Sequence, residues 1–191
     1  RYRHLCGHLE YRSQDFGQYT VDEKKMIGTE GAGGAQGYMY GPLDYTGDAW
    51  DIEEEDAKFD AILCTEVFEH IPYPIETVRE FSRLLKKGGM LIQTFPSVSL
   101  RHFDPFYFYS GFSDRWAEKI LPENGFELLS VESDGDYYGF MSVELKRIFR
   151  NSGLLGKLAT MPALAYTLLQ PRTGLSVSTL SEGLFVTARK L

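Results

Sequence analysis

Cysteine is scarce in this 191-residue chain, which has only Cys6 and Cys64. At that spacing the two make neither a disulfide framework nor a metal-binding pair. Cys64 sits in an apolar run and reads as a small core residue; a reducing, cytoplasmic setting fits. Positive charge is also short: 20 Lys and Arg against 27 Asp and Glu leave a net charge of −7. Nucleic-acid backbones call for clustered cations, so nucleic acid is excluded as the main ligand. No apolar run reaches the roughly 20 residues that span a bilayer. The amino end, Arg1-Tyr2-Arg3-His4, has neither an initiator Met nor the apolar stretch of a secretory signal, and reads as a fragment or a processed chain. There is no internal repeat.

What is present is an ordinary globular composition, 43% apolar and 25% charged, long enough for one domain with a sizeable core. The stretch Phe59–Pro96 is the most informative. Phe59–Cys64 is an apolar run bounded by charges, as expected of a parallel strand covered on both faces. Pro74–Leu85 predicts a helix. Pro74 suits its first turn, Ile75, Val78, Phe81, Leu84 and Leu85 form one apolar stripe, and Gly88-Gly89 supply a stop. Met90–Phe95 is a second buried strand. Around this βαβ unit, His8–Asp15, Leu43–Thr46, Phe126–Glu132 and Gly183–Arg189 read as strands. Ser113–Leu121 reads as a helix capped by Ser113, and Tyr137–Phe149 and Leu154–Leu169 as helices of an insertion. Gln18–Tyr40 reads as a loop and Asp51–Asp56 as a solvated acidic turn. The alternation predicts a doubly wound α/β fold over residues 1–191, with helices on both faces of a mostly parallel sheet.

Ligands of such folds sit beyond the carboxyl ends of the strands, which selects the candidate residues. Asp15 ends a strand and can accept both hydroxyls of a ribose, although an Asp there is also a turn or cap residue. Asp48 can accept from an adenine amino group, and Gly47-Asp48 is equally a plain turn. Glu66, Glu69 and His70 share one face if the turn is helical. Two carboxylates and an imidazole can hold a divalent cation; the competing, metal-free reading, with the His or Glu hydrogen-bonding within the turn, is the preferred one here. Ser99–Phe112 (SLRHFDPFYFYSGF) is an aromatic loop at the same edge. It could line a substrate pocket, with His102 as a general base, or simply pack on itself.

Four segments in register resemble the class I S-adenosylmethionine-dependent methyltransferases: Gly47-Asp48-Ala49, Lys58–Leu63 (KFDAIL), Glu66–Ile71 (EVFEHI) and Leu84–Ile92 (LLKKGGMLI). The resemblance covers Tyr11 to about Glu132. It implies a Rossmann-like sheet with an antiparallel last strand and a helical insertion, residues 137–174, before it. It also implies S-adenosylmethionine as cofactor, with Asp15 and the adjoining Phe16 at the ribose, Asp48 and Ala49 at the adenine, and Cys64, Thr65 and Glu66 facing the methionine end. The activity implied is methyl transfer to a small or medium acceptor, most simply a hydroxyl, with His102 or His70 as base. The family's glycine-rich turn and first strand are absent: counted back from Asp15, they would precede Arg1. Gly28–Gly37 does not replace them, because a helix, a strand and a crossover do not fit between it and Phe59.

Two rivals remain. A non-catalytic module binding a nucleoside or a partner is one. A nicotinamide-dependent enzyme is the other, and the Glu-His turn and antiparallel last strand argue against it. The insertion is expected to be a substrate cover or a homodimer contact, with membrane contact ranked below both.

Overall fold

The computed structural model describes residues 2–17, 42–103 and 105–191. The expected loop Gln18–Tyr40 lies outside the described residues. In chain order the strands are β1 (Gln14–Asp15), β2 (Tyr45–Thr46), β3 (Phe59–Thr65), β4 (Leu85–Pro96), β5 (Phe126–Asp134) and β6 (Gly183–Lys190). The helices are α1 (Pro74–Leu84), α2 (Asp114–Glu123), α3 (Tyr137–Asn151), α4 (Leu154–Leu169) and α5 (Gly174–Thr179).

β3 and β4 pair in parallel, and β6 lies antiparallel between β4 and β5, giving the order β3-β4-β6-β5. The last strand of the chain is therefore the antiparallel one, and α3–α5 form the insertion that precedes it. β1 and β2 make a separate two-stranded parallel ribbon. One sheet was expected and the described residues form two. β3 pairs only with β4; its other edge, where the resemblance puts a central first strand, has no described partner strand.

One face of the larger sheet carries the core. The apolar stripe of α1 delivers Val78, Phe81 and Leu84, and α2 delivers Ala117 and Leu121. They meet Leu91 and Phe95 of β4 and Val186 and Ala188 of β6. Alternate residues point the other way: Leu63 and Phe185 are 47% and 40% exposed, and among the described residues no helix covers that face. The α/β fold with an antiparallel last strand is as expected, and among the described residues the helices lie on one face of this sheet.

Local differences have local causes. The expected strand His8–Asp15 reduces to Gln14–Asp15, because only these two residues find partners on β2. α1 stops at Leu84 and β4 begins at once, since Leu85 already pairs with Phe59. Gly88-Gly89 therefore do not cap the helix. Gly88, at φ +81°, lies inside β4 where the register slips between Phe59 and Ala61. Pro122 falls within α2, and α4 runs through Pro162. Ser113 does cap α2, its hydroxyl accepting from the Trp116 N–H at 3.2 Å.

The acidic turn is held by Arg83 of α1. Its guanidinium grips both carboxylate oxygens of Glu80 at 2.7 and 2.8 Å, Asp56 at 2.7 Å, and the carbonyls of Ile52 and Glu54 at 2.9 and 2.7 Å. Such bidentate, charge-assisted bonds are the strong ones. They fix the path from β2 to β3.

Candidate active site

β3, β4 and β5 all end on one edge, as the pairing of both Pro96 and Asp134 with Gly183 requires. Beyond β3 the chain makes a single 3-10 turn, Phe68–His70. Phe68 nails this turn down: it is fully buried among the rings of Phe81, Phe95, Phe112 and Trp116, with centroids 5.9–6.4 Å apart. Glu66, just before the turn, has φ +51°, an uncommon conformation for a side-chain-bearing residue and one that clusters at functional sites. Its amide N–H donates to the Thr94 carbonyl at 3.0 Å and its carboxylate accepts from the Thr94 hydroxyl at 2.8 Å.

The aromatic loop after β4 folds back onto this turn. The amides of Phe108 and Tyr109 donate to the Glu69 carbonyl at 2.9 and 3.2 Å, and the Tyr109 hydroxyl donates to the Pro72 carbonyl at 3.1 Å. Gly111 lets the loop return beside β4: at φ +152° it leaves no space for a Cβ against the Ser97 carbonyl. These bonds bring His102 to the turn. Its ring meets that of His70 edge to face at 4.6 Å.

The two imidazoles are fixed by backbone carbonyls. His70 Nδ1 lies 2.5 Å from the Phe106 oxygen and His102 Nδ1 lies 2.7 Å from the Leu100 oxygen. A carbonyl only accepts, so Nδ1 carries the proton and, in the neutral ring, Nε2 carries the lone pair. Both Nε2 atoms turn towards Glu69, at 3.7 and 3.9 Å from its Oε1. Glu69 is 2% exposed and, among the described residues, its Oε2 has no hydrogen-bond partner. Burial raises the Glu69 carboxyl to about 7; its own backbone N–H opposes this and the Glu66 carboxylate adds to it. Burial likewise lowers His70 to about 4, against the pull of the Phe106 carbonyl and with help from His102. His70 is therefore neutral at physiological pH, and its contact with Glu69 is not an ion pair.

Glu69, His70 and His102 together present ligand atoms within 4.8 Å of one another. Two imidazole nitrogens and a carboxylate oxygen, with each ring oriented through its other nitrogen, are a recurrent donor set for divalent transition metals. Glu66 stands outside this group. Its carboxylate is engaged by Thr94 and borders a cavity of about 500 Å³ lined also by Glu132, Asp134, Leu184 and Phe185. That volume is in the range of small-molecule sites.

The remaining candidates lie at the ends of β1, β2 and β3. Asp15 ends β1; its carboxylate accepts from the Gly17 N–H and its carbonyl from the Gly47 N–H, both at 3.1 Å. Asp48 therefore follows directly beyond the paired strand end. The ring of Phe16 meets that of Phe106 at 5.1 Å, which connects the ribbon to the carbonyl that holds His70. Ala49 packs partly buried against the core. The Thr65 hydroxyl lies 3.4 Å from that of Tyr2. Cys64 is buried and its thiol is pushed up to about 12, by burial first and then by Glu69 and Glu66, so it offers a ligand only its backbone. The approach of His102 to Glu69 had no signal in the sequence beyond the place of its loop after the next strand.

Comparison with known proteins agrees with the motif order. A family described as "Methyltransferase domain" matches residues 24–93. The ubiquinone biosynthesis O-methyltransferase of Azoarcus sp. (strain BH72) is 30% identical over 136 residues, 71% of this chain and 52% of that protein. Its counterpart in Aromatoleum aromaticum (strain DSM 19018 / LMG 30748 / EbN1) is 32% identical over 98 residues, 51% of this chain and 36% of the relative. The chain thus spans about half the length of the first of these relatives. Among solved structures, a putative methyltransferase from Bacillus halodurans C-125 aligns with a TM-score of 0.46 at 19% identity, over 76% of this chain and 70% of that one. Residues 24–93 thus match a methyltransferase-domain family, in line with the class I S-adenosylmethionine-dependent methyltransferases that the motifs resemble.

Proposed function

We propose that this protein transfers a methyl group from S-adenosylmethionine to the hydroxyl of a small acceptor, and that Glu69, His70 and His102 hold a divalent cation at the acceptor side. The observation that carries the reading is the convergence of two Nε2 lone pairs on a buried carboxylate with an orphan oxygen. An unpaired buried carboxylate is costly, and a cation is the partner that this donor set suits. The reading departs from the metal-free turn preferred on the sequence alone.

The residues also suit the cofactor. Asp15 and Asp48, at the ends of two adjacent parallel strands, are the acids for the ribose and the adenine. Phe16 flanks the ribose, Ala49 the adenine, and Thr65 and Glu66 line the rim towards the methionine end. Bound there, S-adenosylmethionine supplies an electrophilic methyl on sulfur. The chain's part is to hold the acceptor in line and to take its proton as the oxygen–methyl bond forms and the carbon–sulfur bond breaks. A cation at the cluster would lower the pKa of a coordinated hydroxyl. With both Nε2 atoms on the cation neither imidazole is free to take the proton, which leaves through solvent; without cation the base is His102, since His70 is held near 4.

A hydroxyl acceptor is also what the names of the Azoarcus and Aromatoleum relatives suggest. Residues 1–191 act as one domain in this reading, with a small-molecule substrate. Titration calorimetry of the full-length protein with S-adenosylmethionine tests the cofactor, with micromolar binding expected for the wild type and its loss in Asp15→Ala. Absence of heat at millimolar ligand would sink the cofactor assignment. Mn²⁺ binding followed by electron paramagnetic resonance tests the cluster separately, and wild-type-like binding by Glu69→Gln would refute it.

A further inference from the structure

The insertion α3–α5 poses a problem the proposed chemistry does not explain. α4 has 16 residues, and not one of them is buried. Leu154, Leu155, Leu158, Met161 and Leu169 are all more than half exposed, and Leu175 of α5 is 78% exposed. Lys157 is the sole charged residue of α4. Contiguous apolar surface of this kind marks an interaction site. A helix apolar on every side is not stable facing water.

Charge identifies the occupant. Residues 137–174 carry five cations, Lys146, Arg147, Arg150, Lys157 and Arg172, and one anion, Glu144, in a chain whose net charge is −7. The cationic cluster sits at the α3–α4 turn. Lys146 and Arg150 are exposed one helical turn apart, and Lys157 lies 5.8 Å over the ring of Phe149. Two copies meeting through this hairpin would bring like charges together. An anionic lipid surface accepts both features, the leucines into the acyl boundary and the cations against headgroups. Among the described residues no helix is long and apolar enough to cross a membrane, so the hairpin would lie in the interface.

We infer that α3 and α4 dock the protein onto an anionic lipid surface. The hairpin springs from the carboxyl end of β5, the edge that also carries Glu69, His70 and His102. Docking therefore brings the candidate active site to the lipid.

Vesicle flotation of the full-length protein tests this. Protein should float with vesicles of phosphatidylglycerol and phosphatidylcholine in equal parts, not with phosphatidylcholine alone, and about 0.5 M salt should weaken the association. Leu155→Asp/Leu158→Asp/Leu169→Asp removes side chains that already face solvent, so circular dichroism should be unchanged while partition falls at least about tenfold. Lys146→Glu/Arg150→Glu should abolish the salt dependence. The inference is overturned if the wild type floats with neither vesicle, or if the triple variant floats as well as the wild type. It is equally overturned if sedimentation velocity finds a dimer that the triple variant dissociates, since the leucines would then belong to a subunit contact.

Discussion

Replacing Glu69 by glutamine should stabilise the cation-free protein, and the gain should depend on pH. The carboxyl is raised from its ordinary 4.5 to about 7. Below 4.5 it is protonated in both folded and unfolded chains and costs nothing. Between 4.5 and 7 the unfolded chain releases a proton that the folded one retains, so wild-type stability falls as pH rises. Above 7 the penalty is complete, at about 3 kcal/mol from the size of the shift. A glutamine side chain has nearly the same shape and no charge, so Glu69→Gln escapes the penalty. For a chain of this length about 3 kcal/mol moves Tm by roughly 6–12 °C. Differential scanning fluorimetry after chelator treatment should find the variant matching the wild type near pH 4.5 and melting higher at pH 8. Divalent cation should then reverse the order: a ligand at about a thousand times its Kd adds about 4.1 kcal/mol to the wild type, more than the penalty, and nothing to the variant. If the variant melts below the wild type at pH 8 without cation, the carboxylate has a partner in the fold and the reasoning fails.

Three further outcomes follow from the geometry. Arg83→Ala strands the buried Glu80 carboxylate and frees the turn at residues 52–56, and should cost about 3–5 kcal/mol by urea denaturation. Arg83→Lys should recover only part of this, lacking the bidentate fork. Gly111→Ala drives a methyl into the Ser97 carbonyl at φ +152°. It should cost at least about 2 kcal/mol and weaken Mn²⁺ binding, because the same loop carries His102. Asp136 caps α3 through the Gly139 N–H at 2.9 Å and accepts from the Ser176 hydroxyl at 2.6 Å. Asp136→Ala should cost about 1–2 kcal/mol and remove amide-exchange protection from α3 and α5 before the sheet. The Ser176 bond chiefly, then the Gly139 amide, hold the Asp136 carboxyl below its usual range. That contribution is therefore present at neutral pH and lost as acid protonates the group.

What the sequence made legible is what periodicity controls. α1 could be read because its burial repeats every three to four residues, β3 from its apolar run bounded by charges, and the antiparallel last strand and the insertion came with the order of motifs. Element ends were less legible because partners far along the chain decide them. Leu85 enters a strand because Phe59 is across from it, and His8–Arg12 are not strand because nothing lies across from them among the described residues. The prolines inside helices need a separate account. In α4, Pro162 leaves the carbonyl of Leu158 without its usual N–H donor, in a residue that is 55% exposed.

The site shows the same division more sharply. Spacing put Glu66, Glu69 and His70 on one face, yet the structure separates Glu66 and substitutes His102, which lies more than thirty residues beyond Glu69. Side-chain spacing had no access to this, because the joining bonds are main-chain ones: the Glu69 carbonyl receives the amides of Phe108 and Tyr109, and the carbonyls of Leu100 and Phe106 set the tautomers. Those carbonyls decide which nitrogen bears a lone pair, and so whether the imidazoles can ligate at all. A sequence names the histidines; the backbone of an aromatic loop, itself held by Gly111 and the turn around Phe68, determines their chemistry. Substitutions that leave Glu69, His70 and His102 intact but loosen that loop, Gly111→Ala among them, should therefore weaken cation binding without removing a ligand.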